Sequence, residues 1–90
     1  MSDKVIRKFV YLSELAIKVN TYTDYDVFID FSGHVNHMNI HYYKNGYKST
    51  ENNRVDLFNI YANHDSEKYI LEVFEKAEKK LIALMKKEPL

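Results

Sequence analysis

The chain has no cysteine and no tryptophan, and its 90 residues include only two glycines and one proline. Without cysteine there is no disulfide, no thiolate metal ligand and no thiol nucleophile, and the expected compartment is the cytoplasm. Gly33 and Gly46 stand too far apart to write either a G-x-G-x-x-G turn or a P-loop, so a phosphate-cradling loop is excluded. No serine sits in a G-x-S-x-G elbow: Ser2, Ser13, Ser32, Ser49 and Ser66 fall in cap, helix or turn contexts. Net charge is absent too, with 13 basic and 13 acidic residues. A nucleic-acid binder normally carries a basic excess, because phosphate contacts dominate its affinity. Arginine, the preferred reader of guanine and phosphate, occurs only as Arg7 and Arg54. Long apolar runs are missing as well. The opening MSDKVIRKFVYLSELAIKVN is broken by polar groups every few residues, unlike a signal peptide or a membrane span. These absences predict a protein that is not an enzyme and holds no cofactor.

What is present is ordinary material for one soluble domain, 46% apolar and 29% charged. Residues 3–19 read as an amphipathic helix on Val5, Phe9, Leu12, Ala16 and Val19, with Ile6, Val10 and Ile17 widening the stripe. Ser2 caps its start and Asn20 closes its end. Residues 25–31 alternate as a half-buried strand, and Ser32 to Asn36 turn, with Gly33 free to take a positive φ. Residues 37–44 alternate again, Met38, Ile40 and Tyr42 on one face and His37, Asn39, His41 and Tyr43 on the other. Asn45-Gly46 is a strong hairpin signal, leading to a short strand over 47–50. Residues 55–62 are rich in β-branched and aromatic side chains and read as a further strand. Asp65 or Ser66 caps a long helix, 66–87, with Ile70, Phe74, Ala77, Leu81 and Leu84 as its seam; Pro89 cannot continue it.

The expected fold is therefore α+β: a single domain, 1–90, with an N-terminal helix, an antiparallel sheet of three or four strands and a long C-terminal helix, both helices on one sheet face. Its core is expected to hold Val5, Phe9, Leu12, Ala16, Val27, Ile29, Phe31, Met38, Ile40, Tyr42, Ile70, Phe74, Ala77, Leu81 and Leu84.

Three of the four histidines, His34, His37 and His41, crowd into eight positions. On a helix their spacing would build a zinc site. The segment opens at Ser-Gly and alternates, so it is a strand, with His34 in the turn. A strand version remains: if the hairpin faces match, Asp26, Asp30, His37 and His41 share the open sheet face, where two imidazoles and a carboxylate suit zinc and the same quartet suits acid–base chemistry. The simpler reading makes them solvated cross-strand partners contributing about half a kcal/mol per pair.

The same open face carries Phe28, Asn39, His41 and Tyr43, and aromatic residues are enriched in interface cores. The expected function is a small protein-interaction module using those four residues, its partner another protein or a second copy of itself, with no membrane and no small-molecule substrate. The alternative is a nucleic-acid-binding domain using Lys76, Lys79, Lys80, Lys86 and Lys87 of the last helix, although Glu72, Glu75 and Glu78 interleave with them.

The order helix, three antiparallel strands, helix resembles the double-stranded-RNA-binding domain. Gly33-His34 before a strand resembles that family's Gly-Pro-x-His loop, and Asn45-Gly46 falls at its next hairpin turn. The chain lacks the proline, has Asp65-Ser66-Glu67-Lys68-Tyr69 where that family begins its last helix with a lysine cluster, and carries 52–62 in addition. No RNA-binding residue carries over. In size, composition and element order the chain is also similar to small accessory proteins of bacteriophages and mobile elements, including some anti-CRISPR inhibitors, which act by binding a host protein.

Overall fold

A serine opens each helix. In the computed structural model, which describes residues 1–43 and 53–86, the Ser2 hydroxyl accepts from the Val5 N–H at 3.2 Å and the Ser66 hydroxyl accepts from the Tyr69 N–H at 3.2 Å. Each bond satisfies one of the amides that a helix start leaves open. The elements run α1 (Asp3–Tyr22), β1 (Asp26–Ser32), β2 (His37–Tyr43), β3 (Arg54–Tyr61) and α2 (Glu67–Met85). Ser66, rather than Asp65, is the second cap; Asp65 instead accepts from the Tyr61 N–H. The strand expected over 47–50, the Asn45-Gly46 turn and Lys87 lie outside the described residues. Among the described residues no helix is long and apolar enough to cross a membrane.

The three strands form one antiparallel sheet in the order β1-β2-β3. Ile29 pairs with Ile40 across the first hairpin, and Ile40 with Phe58 across β2 and β3. His41 then pairs with Asp56, so Leu57 is an extra residue, a bulge. The bulge places both Val55 and Phe58 on the helix side although they are three positions apart. Both helices cover that one face. Val5, Leu12, Ala16 and Val19 of α1 and Ile70, Phe74, Ala77, Leu81 and Leu84 of α2 close over Val27, Met38, Ile40, Tyr42, Phe58 and Ile60. At the centre the rings of Phe9, Phe58 and Phe74 meet with centroids 4.9–6.3 Å apart. Lys8 pairs with Glu78, and the Tyr11 hydroxyl donates to the same carboxylate, tying α1 to α2 at the rim.

Four expectations need correction. Asn20 does not end α1, which runs on to Tyr22. Its amide spans to β1, donating to the Val27 carbonyl at 2.8 Å and accepting from the Val27 N–H at 2.7 Å, and so covers one rung of a bare sheet edge. Gly33 is not the residue with positive φ; Asn36 is, at 49°. Phe31 is 52% exposed at the sheet edge, leaning on Phe9, whereas Phe58 and Ile60 of β3 are core. Ile6, Val10 and Ile17 do not widen the buried stripe of α1; they are exposed.

Candidate functional site

Alternation along the strands sends Asp26, Phe28 and Asp30 of β1, His37, Asn39, His41 and Tyr43 of β2, and Asp56, Asn59 and Tyr61 of β3 to the side without helices. The register sets Phe28 beside His41 and Asp30 beside Asn39 on one flank, and Asp56 beside His41 and Asn59 beside Asn39 on the other. The face is thus built around the two polar residues in the middle of β2.

Those two residues are buried. Asn39 is 2% exposed and His41 5%, on the side of the sheet that no helix covers. Their neighbours enclose them. The Asn39 amide nitrogen donates toward the Phe58 carbonyl at 2.8 Å, Asn59 Oδ1 at 3.0 Å and Asp56 Oδ1 at 3.1 Å. Three acceptors around that nitrogen fix which end of the amide is which, so Asn39 Oδ1 accepts from His41 Nδ1. His41 therefore carries its proton on Nδ1. Arg54 donates through Nε and Nη2 to Asp56 Oδ1 at 3.1 and 2.9 Å, holding the carboxylate in place. Phe28 lies flat on the His41 ring, centroids 5.1 Å apart and planes 2° from parallel. Tyr43 stands edge-on to both rings.

The electrostatics follow from this enclosure. Burial lowers the His41 pKa, nearby Arg54 lowers it further, and the Asp30 and Asp56 carboxylates oppose both without reversing the outcome. His41 is neutral near pH 7, which suits a ring that donates from Nδ1 to an amide. Burial alone would raise the Asp56 carboxyl, but the hydrogen bonds from Arg54 and Asn39 bring it below its usual value. A polar set of this kind is directional and rigid.

Of the four residues expected to contact a partner, the structure keeps two at the surface. Phe28 is 39% exposed and Tyr43 half-buried. Asn39 and His41 are brought together with them but lie beneath, as the support of the aromatic pair rather than as contacts. Asp30, Asn59 and Tyr61 are exposed around them, and His37 is half-buried against Tyr61, ring centroids 4.5 Å apart. The sequence contains no signal for the β3 contribution: Asp56 and Asn59 share a face only because Leu57 bulges.

Asp26, Asp30, His37 and His41 do share the open face, yet they do not converge. His37 and His41 are four residues apart along one strand, about 13 Å at the usual rise. Asp30 pairs with Asn39 between them, and Asp26 with Tyr43. Asp30 Oδ2 comes no closer to His41 Nδ1 than 3.9 Å, and His37 Nε2 is 3.2 Å from Asn59 Oδ1. Among the described residues no three His, Asp or Glu side chains gather as metal ligands. Among the described residues these four therefore stand as separate cross-strand neighbours, the simpler of the two arrangements the sequence offered.

Among the described residues the lysines of α2 do not make a stripe of one sign. Lys80 is half-buried with its ammonium 5.9 Å from the centre of the Tyr42 ring. Lys76, Lys79 and Lys86 are exposed, and the equally exposed Glu72 and Glu75 lie within the same sector of the helix. Among the described residues the order is helix, three strands, helix, with β3 formed within the 52–62 segment that the resemblance left over, and topology by itself carries no function. Compared with protein families, with curated proteins and with solved structures, the chain matches none.

Proposed function

We propose that this chain is a protein-interaction module that binds a protein partner through its open sheet face and performs no chemistry of its own. The observation that supports this reading is the exposed Phe28 ring seated flat on the buried, hydrogen-bonded His41–Asn39 pair. An aromatic group already held in one orientation loses little freedom on binding, which is what an anchor residue needs. Among the described residues of the face, Asp26, Asp30 and Asp56 outnumber Arg54, which favours a basic or neutral partner surface over phosphate. Catalysis finds little support, since the Nδ1 proton of His41 is engaged by Asn39 and its ring is covered by Phe28. A cytoplasmic accessory role of the phage or mobile-element kind, acting on a host protein, fits a small domain of this design.

The test is capture from host extract on three immobilised forms: the wild type, Phe28→Ala/Tyr43→Ala, and Lys76→Ala/Lys79→Ala. The expected result is one partner protein retained by the wild type and the lysine variant and lost by the aromatic variant. A partner held equally by the aromatic variant would remove the open face from the binding site. Recovery of nucleic acid that the lysine variant loses, with salt-sensitive affinity, would replace the reading with the α2 alternative.

A further inference from the structure

We propose that α1 docks antiparallel against α1 of a second copy of this chain, through Ile6, Val10, Ser13 and Ile17. The inference is independent of the open sheet face, because α1 packs on the opposite side of the sheet. Ile6 is 43% exposed, Val10 62% and Ile17 58%. At about 100° per residue these three, with Ser13, fall in one narrow strip. Phe9 and Asn20 border that strip on the β1 side, and Lys8 and Tyr11 face α2 well around the helix. The strip is therefore a second apolar face on a helix that already has its core face. Its steps of four, three and four are those of a helix-packing seam, where a single core-facing stripe would leave charge. The one polar member brings no unpaired group to the contact, since the Ser13 hydroxyl donates to the Phe9 carbonyl at 2.8 Å.

The spacing is self-complementary in the antiparallel sense. Setting Ile6 against Ile17 of the copy sets Val10 against Ser13 of the copy with no shift, and two-fold symmetry repeats both pairs. The charges select the same orientation. Arg7 follows Ile6 and Glu14 follows Ser13, both on the solvent flank, and among the described residues neither has an ion-pair partner within the chain. Antiparallel docking brings Arg7 within about one helical turn of Glu14 of the copy, twice per dimer. Parallel docking would put the two Arg7–Glu14 flanks on opposite sides of the pair, leaving these charges without a partner across the contact, and would align the two helix dipoles. Phe31, exposed at the neighbouring sheet edge, extends the apolar area. A contact of this length lies toward the small end of specific interfaces, below about 1,200 Å² in total. The dimer is accordingly concentration-dependent.

Sedimentation equilibrium over a dilution series tests this. The wild type is expected to pass from dimer to monomer mass on dilution, and Val10→Asp to remain monomeric throughout with an unchanged far-UV spectrum. Arg7→Glu alone is expected to weaken the dimer, and Arg7→Glu with Glu14→Arg to restore it. A wild type that is monomeric at every concentration overturns the proposal, as does a dimer that survives Val10→Asp. A double charge swap that dimerises no better than either single change overturns the antiparallel orientation. The charge-swap positions are on the solvent flank, so their result does not depend on a variant that fails to fold.

Discussion

Met38, Ile40 and Tyr42 leave β2 toward the helices, and Asn39 and His41 leave it on the other side; all five are shielded from water. The two sides reach that state differently. Toward the helices the shielding is apolar, non-directional and proportional to area. Away from them it comes from a hydrogen-bonded pair enclosed by Phe28, Tyr43 and the Arg54–Asp56 ion pair. An apolar layer tolerates any side chain of the right volume. A polar layer tolerates only partners that match each donor and acceptor. The comparison teaches that the face without helices is the more specific of the two, which is the property expected of a binding platform.

The largest effect should come from the apolar side. Phe74 is fully buried and its ring meets those of Phe9 and Phe58. Phe74→Ala is expected to cost about 3–5 kcal/mol in urea unfolding. That change asks how far the sheet depends on its helices. Asn39→Ala asks the same of the other face. It strands the His41 Nδ1 proton and removes a donor from Asp56 and from the Phe58 carbonyl, and it is expected to cost about 1–3 kcal/mol. A loss below about 0.5 kcal/mol, the range of ordinary surface changes, would erase the contrast between the faces.

Much of this was legible in the residues and some was not, for identifiable reasons. The helix periods, the Ser2 cap and the alternation of β2 are local signals, and the chain obeys them; for the second cap the sequence offered Asp65 or Ser66, and the structure uses Ser66. Two-faced α1 is different. Periodicity reports that Ile6, Val10 and Ile17 lie beside the core stripe, but which arc of a helix meets the core is decided by where β1 and α2 stand. The polar network was unreadable because half of it comes from β3. Asp56 and Asn59 reach the same face through the Leu57 bulge, and a bulge leaves no pattern in an apolar strand. Without that register Asn39 and His41 look like solvated residues on a sheet surface.

Acid should loosen the polar face before the apolar one. The folded-state pKa of His41 lies below its ordinary value near 6.5, so the unfolded chain binds the proton more readily. The sign follows from linkage: stability from this group is whole above pH 6.5 and falls as pH drops below it, until His41 protonates in the fold as well. Asp30 from β1 and Asp56 and Arg54 from β3 are the charges that face the ring, and the net outcome is set by burial and Arg54. Asp56, also lowered, adds its own loss only at more acid pH, below its ordinary value of 3.8. Unfolding midpoints of the wild type measured between pH 7 and pH 5 should therefore decline, and those of His41→Gln should decline less. Equal slopes would place the acid sensitivity elsewhere and leave His41 as an ordinary surface group.

The smallest effects separate the two ends of the β1–β2 turn. A Cβ on Gly33 would lie 3.6 Å from Phe31 Cε2, an ordinary contact, and the glycine is not in the left-handed region. Gly33→Ala removes freedom mainly from the unfolded chain and should leave stability unchanged or raise it by up to about 0.5 kcal/mol. Asn36 holds the left-handed conformation, its side chain donates to Asn63 Oδ1 at 3.1 Å, and its carbonyl accepts from the Ala62 N–H. Asn36→Ala loses the side-chain bond and strains the backbone, for about 1 kcal/mol. Asn36→Gly loses only the bond and should cost less. If Gly33→Ala proved the more damaging of the alanine changes in thermal unfolding, the turn would depend on its glycine after all, and the register that seats Phe28 on His41 would be set from that end.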